Sequence, residues 1–224
     1  IFNSKFNLKI IDKFYVPSLK YNFQIESLET IGIKKKKIIT SDKYKHITAD
    51  NIFATSHPCE HVPTKIKKWS LDFLRKKYLK RKKYFNYSKI FIDRDQFKLL
   101  DLANLEKFKN YRVLLNEKEI KTFLISRGFR IIKPQNYSLL DQVKIFSNAK
   151  IIVGLYGAAM MMISFCKKNT KIIEIKPKNH PNFVDQRISK IKELDFNLIE
   201  TDEIKNKYEN GDIFLDTTDL EKYL

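Results

Sequence analysis

From residue 89 to the end of the chain, short apolar runs alternate with amphipathic stretches, and this alternation restricts the fold more than any other feature. Residues 89–93 read as a strand, 116–127 as an amphipathic helix and 129–133 as a second strand. The unit then repeats. Ser138 with Asp141 three residues later marks a helix start, the helix runs to about residue 148, and 150–153 form a short apolar strand. A helix after Gly157, a strand at 171–175, a helix at 183–194 and a strand at 196–199 continue the series. Strands of this length separated by helices pair in parallel through right-handed crossovers. Residues 89–224 are therefore predicted to form a doubly wound α/β domain.

Residues 1–88 are less regular. Strands are predicted at 6–11, 38–40 and 52–55, a short helix at 24–30, and a long basic helix at 64–82 preceded by the proline-containing loop "SHPCEHVP". They are expected to build a second α/β half, truncated at its start.

The chain carries a formal charge of +18, but 37 of its 44 basic residues are lysine and only 7 arginine. Base readout and phosphate clamps favour arginine. The excess of Lys, Ile, Asn, Phe and Tyr is what AT-rich coding produces, so nucleic acid is not the expected partner. A basic module for nucleic acid or an anionic membrane surface stays open as a separate class. No run of 18 or more apolar residues occurs, which excludes an ordinary transmembrane helix. Two cysteines, Cys59 and Cys166, make no disulfide framework and fit a reducing compartment. The expected location is the cytoplasm, with peripheral contact at an anionic membrane.

The stretch "IIVGLYGAAMMMISF", 151–165, places a glycine turn between an apolar strand and a helix. In an open parallel sheet ligands bind beyond the carboxyl ends of the strands, where helix N-termini present amide groups. On this reading Gly154 turns the chain off the strand, and Gly157 lets the backbone approach an anion that meets the amides of Gly157, Ala158 and Ala159. The other reading is a turn between two buried elements, with Met160 to Met162 in the core. Arg94 directly follows a strand and Arg112 precedes "LLNEKE". In a chain so short of arginine, both suit bidentate contacts to a diphosphate, or else surface salt bridges. Asn116 and Glu119 have the spacing of a capping box. Glu174, near a strand end, is placed to accept hydrogen bonds from sugar hydroxyls or to pair with a lysine. "HPCEH" sets His57, Cys59 and His61 within five residues but lacks a fourth zinc ligand, so no metal is expected.

These residues, in this order, resemble glycosyltransferase family 61, a group that includes bacterial capsular-polysaccharide enzymes and eukaryotic protein and xylan glycosyltransferases. The similar block runs from "KIFIDR" through "YRVLLNEKEI" and "RGFRIIKPQNYSLLDQVKIFSNAKIIVGLYGAA" to "IIEIKP". The resemblance implies a GT-B architecture: two Rossmann-like halves with parallel sheets, residues 1–88 on the acceptor side and 89–224 holding the donor. It implies an inverting, metal-independent enzyme without a cofactor. Such an enzyme transfers a sugar from a nucleotide-sugar donor to a glycan, lipid-linked or protein hydroxyl acceptor in surface polysaccharide biosynthesis. Donor binding falls on Arg94, Arg112, Asn116, Gln142, Gly154, Tyr156, Gly157, Ala158 and Glu174, and Glu117 and His57 are the candidate bases. The family often carries histidine and asparagine where this chain has Tyr156 and Met162. A phenol is a poor base at neutral pH, so a family member that binds glycan or nucleotide without turnover is the alternative.

Overall fold

The structure, a computed structural model, describes residues 8–54, 59–60, 65–79, 85–94, 113–178, 180, 183–205 and 211–224. The chain divides into two compact units, residues 1–82 with 138–140, and 83–137 with 141–224.

In the first unit, β1 (Phe14–Val16), α1 (Asn22–Thr30) and β2 (Ile38–Thr40) form a small βαβ unit, with β1 and β2 parallel and Phe14 opposite Ile38. The start of α1 is held by Gln24, whose Oε1 accepts from the backbone amides of Lys20 and Tyr21 at 2.7 and 2.9 Å. An antiparallel pair, β3 (Cys59–Glu60) and β4 (Lys65–Ile66), precedes α2 (Lys68–Tyr78). The buried Tyr78 hydroxyl donates to the Ser27 carbonyl at 3.0 Å and ties α2 to α1.

Three expectations are corrected here. Within the span predicted as a strand at 6–11, Leu8–Ile10 forms a 3-10 turn. Of the strand predicted at 52–55, residues 52–54 are exposed and irregular, and among the described residues no strand pairs with them. The basic helix starts at Lys68 rather than 64, because Lys65 and Ile66 pair with β3 and hold Lys67 extended.

The second unit holds the predicted parallel sheet. Its strands are β5 (Lys89–Ile92), β6 (Arg130–Ile132), β7 (Ile151–Leu155), β8 (Lys171–Pro177) and β9 (Asp195–Thr201), in the order β6-β5-β7-β8-β9. All four pairings are parallel, and Ile92, Gly154, Glu174 and Leu198 lie in one row across the sheet. The helices are α3 (Glu117–Ser126), α4 (Leu139–Asn148) and α5 (Val184–Lys192). Strand alternation sends Phe91, Val153, Leu155, Ile173, Ile175 and Ile199 to one face, where they pack with Ile120 and Leu124 of α3. Ile90, Ile92, Ile152 and Ile172 are buried on the other face. Each such side chain contributes about 1.5–3 kcal/mol on burial.

Two features depart from the sequence pattern. The segment after Gly157 is a 3-10 helix, Ala158–Phe165, rather than an α-helix. With three residues per turn, Met160, Ile163 and Cys166 fall on one fully buried side, a set that α-helical winding would spread around the axis. The chain also does not stop contributing at β9. A hairpin, β10 (Glu203–Lys205) with β11 (Gly211–Ile213), and α6 (Thr217–Glu221) bring Ile213, Leu215 and Leu220 into the core beside Leu114.

Candidate active site

The strand order creates the site. From β5 the chain moves to one side to form β6, then crosses back to place β7 on the other side of β5. Connections diverge at this point, and in such sheets the carboxyl ends of the strands at the divergence, here β5 and β7, are the usual ligand position.

Arg94 follows β5 and the glycine turn follows β7, and the structure brings the two together. The half-buried Arg94 donates from Nη1 to the Tyr156 carbonyl at 3.4 Å. Its guanidinium carbon lies 3.7 Å from where a Cβ on Gly157 would stand. Gly157 has φ +146°, a conformation that side chains disfavour. Its carbonyl accepts from the Met160 amide at 2.9 Å and starts the 3-10 helix, with Ala158 exposed at its first position. A planar guanidinium beside a turn of small residues is suited to an anionic oxygen cluster such as a phosphate.

Gly154 has another role than the one its position suggested. The strand continues through Leu155, so Gly154 does not make the turn. A Cβ there would stand 3.0 Å from Met160 Sδ and 3.2 Å from Ile92 Cβ, so a larger residue would make these side chains give way where the 3-10 helix settles onto the sheet.

Beside Arg94 lies a charged cluster that the sequence reading missed. Asp93 is buried, and its carboxylate meets Lys121 Nζ at 2.8 Å and Lys133 Nζ at 3.8 Å. Lys121 also meets Glu117 Oε2 at 3.1 Å, one helical turn away. Glu117, at the first position of α3, is itself buried, so this candidate base is already paired with a lysine shared with Asp93. The signal for Asp93 was its place next to Arg94 at a strand end; the i, i+4 spacing from Glu117 marked Lys121 as a helix-face partner but not its contact with Asp93.

Other predicted site residues hold the scaffold. Asn116 makes no side-chain cap on α3. Its Nδ2 donates to the Leu215 carbonyl at 2.8 Å and to Glu119 Oε2 at 3.1 Å, and its Oδ1 accepts from the Leu215 amide at 3.2 Å. The C-terminal segment thus takes the Asn116 oxygen that a capping box would use. Gln142 donates from Nε2 to the carbonyls of Pro134 and Tyr137, at 2.9 and 3.1 Å, and secures the turn between β6 and α4. Arg112 and His57 lie outside the described residues.

Glu174 does not reach Arg94. It is buried under α5, beside Lys176, Phe183 and Gln186. Burial, with the Asp185 carboxyl as a second cause, pushes Glu174 up to about 8, against the opposing effect of Lys176. Burial alone pushes Asp185 up to about 7.

Tyr156 adds a second group at the turn. Its buried ring packs on His180, with centroids 4.2 Å apart and planes at 44°. His180 follows β8, and its amide donates to the Pro177 carbonyl at 3.3 Å. The sequence reading passed over His180, although a histidine just past a parallel strand stands at the ligand-facing edge.

No curated protein matches the chain. Residues 7–173, most of the chain, match the family model described as Glycosyltransferase 61, a span that holds Arg94 and the glycine turn and ends just before Glu174. The chain belongs to glycosyltransferase family 61.

Proposed function

We propose that this chain is an inverting, metal-independent glycosyltransferase. On this reading it moves a sugar from a nucleotide-sugar donor to a glycan or other hydroxyl acceptor in surface polysaccharide biosynthesis. The observation that carries the reading is the contact between Arg94 and the glycine turn at the strand switch point of a family 61 chain. The donor diphosphate lies over this turn, with Arg94 and Arg112 opposing its charge. The acceptor hydroxyl attacks the anomeric carbon from the side opposite the phosphate. One carbon–oxygen bond forms as the other breaks, the nucleotide leaves with the bonding electrons, and a base takes the hydroxyl proton. The wider arrangement belongs to the same proposal: a GT-B enzyme whose C-terminal half binds the donor and whose N-terminal half receives the acceptor, in the cytoplasm at the membrane surface.

Calorimetric titration with UDP-, GDP- and CMP-sugars tests this reading. At least one binds the wild type, and Arg94→Ala weakens that binding about tenfold or more, as expected for loss of a hydrogen bond to a charged group. No binding by any donor, or an Arg94→Ala variant that binds like the wild type, overturns it. The pairing of Glu117 with Lys121 and the tyrosine at 156 favour a second reading, a binder without turnover. Transfer or donor hydrolysis by the wild type eliminates it.

A further inference from the structure

Sugar transfer needs a group that accepts the proton of the incoming hydroxyl, and the titratable side chains described at the carboxyl ends of β5, β7 and β8 differ in fitness for this. Arg94 is a permanent cation. Asp93 and Glu117 are buried and both engaged by Lys121. Glu174 lies beneath α5 and, pushed up to about 8, holds a proton at neutral pH instead of accepting one. A phenol such as Tyr156 releases its proton only in alkaline solution. An imidazole is the side chain suited to the task between pH 5 and 8.

We infer that His180 is the proton acceptor of the transfer step, held in place by the ring of Tyr156. This inference rests on the transfer reading above and names a residue beyond the span that matches the family. Tyr156 links the two working groups: its carbonyl accepts from Arg94 Nη1, and its ring packs on the imidazole at 4.2 Å. Arg94 and the imidazole thus both contact Tyr156, the first at its carbonyl and the second at its ring. An in-line displacement uses two groups near one turn but not the same atom, because the bond that forms and the bond that breaks lie on opposite faces of the anomeric carbon. The hydroxyl proton passes to a ring nitrogen of neutral His180, the oxygen bonds to the anomeric carbon, and the nucleotide departs with the electron pair of the old bond. Imidazolium then returns its proton to solvent. Among the described residues the charged groups around this loop include Lys176, whose Nζ donates to the His180 carbonyl at 3.4 Å, Glu200, 3.7 Å from the same Nζ, and Lys178, which pairs with Asp202 at 2.8 Å.

The wild type's own pH profile tests the assignment without any variant. With the donor that turns over fastest among UDP-, GDP- and CMP-sugars, kcat falls tenfold per pH unit on the acid side, with its bend between pH 5 and 8, as His180 becomes protonated. A profile without that limb overturns the inference. His180→Gln lowers kcat about 10²- to 10⁴-fold, binds the nucleotide within about threefold of the wild type and loses the limb; free imidazole restores part of the rate to His180→Ala. A His180→Gln variant with wild-type kcat and an intact limb overturns this assignment alone. Donor binding without turnover by the wild type overturns the transfer reading with it.

Discussion

Glu174 and Asp185 show how a residue's meaning changes between the chain and the fold. In the sequence Glu174 reads as a carboxylate waiting for sugar hydroxyls. In the structure it is a buried acid facing a second one, and Asp185 Oδ1 has no hydrogen-bond partner among the described residues. Their ordinary values are 4.5 and 3.8, against about 8 and about 7 in the fold. Between these limits the folded chain binds more protons than the unfolded chain, so stability is full below the ordinary carboxylate range and falls as pH rises toward 8. The loss is expected mainly between about pH 5 and 8.5. Glu174→Gln, which keeps the shape without the charge, flattens that decline in denaturant titrations; an unchanged slope would show that other groups govern it.

At the scale of elements, the end of the chain is built into the sheet domain. The Leu115 amide donates to the Ile213 carbonyl and the Ile213 amide to the Val113 carbonyl, each at 2.8 Å, and Asn116 bonds the Leu215 backbone in both directions. The short pairing thus fixes where α3 begins, beside Glu117, Lys121 and Asp93. Asn116→Ala removes two of these bonds and leaves the Leu215 groups to find other partners, so the variant loses about 2 kcal/mol of stability, read as a lower unfolding midpoint in urea. Asn116→Asp, which keeps only the acceptor, recovers part of the loss. If donor affinity falls while the midpoint stays put, Asn116 serves the ligand rather than the scaffold. None of this was legible locally. The hairpin strands have three residues each, α6 has five, and their partners lie about a hundred positions away in the sequence.

For the whole molecule, the charge of +18 is the property that acts beyond any one contact. Because lysine supplies most of it, the expected interaction is non-specific attraction that fades with screening. Binding to vesicles containing phosphatidylserine should weaken steeply between 50 and 300 mM salt, while neutral vesicles bind little at any salt. Salt-insensitive binding to both would point to apolar insertion instead, measured in either case by co-sedimentation. No helix among the described residues is long and apolar enough to cross a membrane. The alternation of strands and helices after residue 89 was legible because burial on both faces of a parallel sheet demands near-continuous apolar runs, and the structure has a strand at each predicted place. The first unit was less so, since its paired strands have only two or three residues. By itself, then, the sequence determined the parallel α/β class and the family, because both are written in local periodicity and in the order of motifs along the chain. Only the tertiary structure decided which strand lies beside which. That order sets Arg94 against Gly157, brings Asp93 to Lys121 and lays His180 on Tyr156, contacts between residues too far apart in the chain for any local pattern to encode.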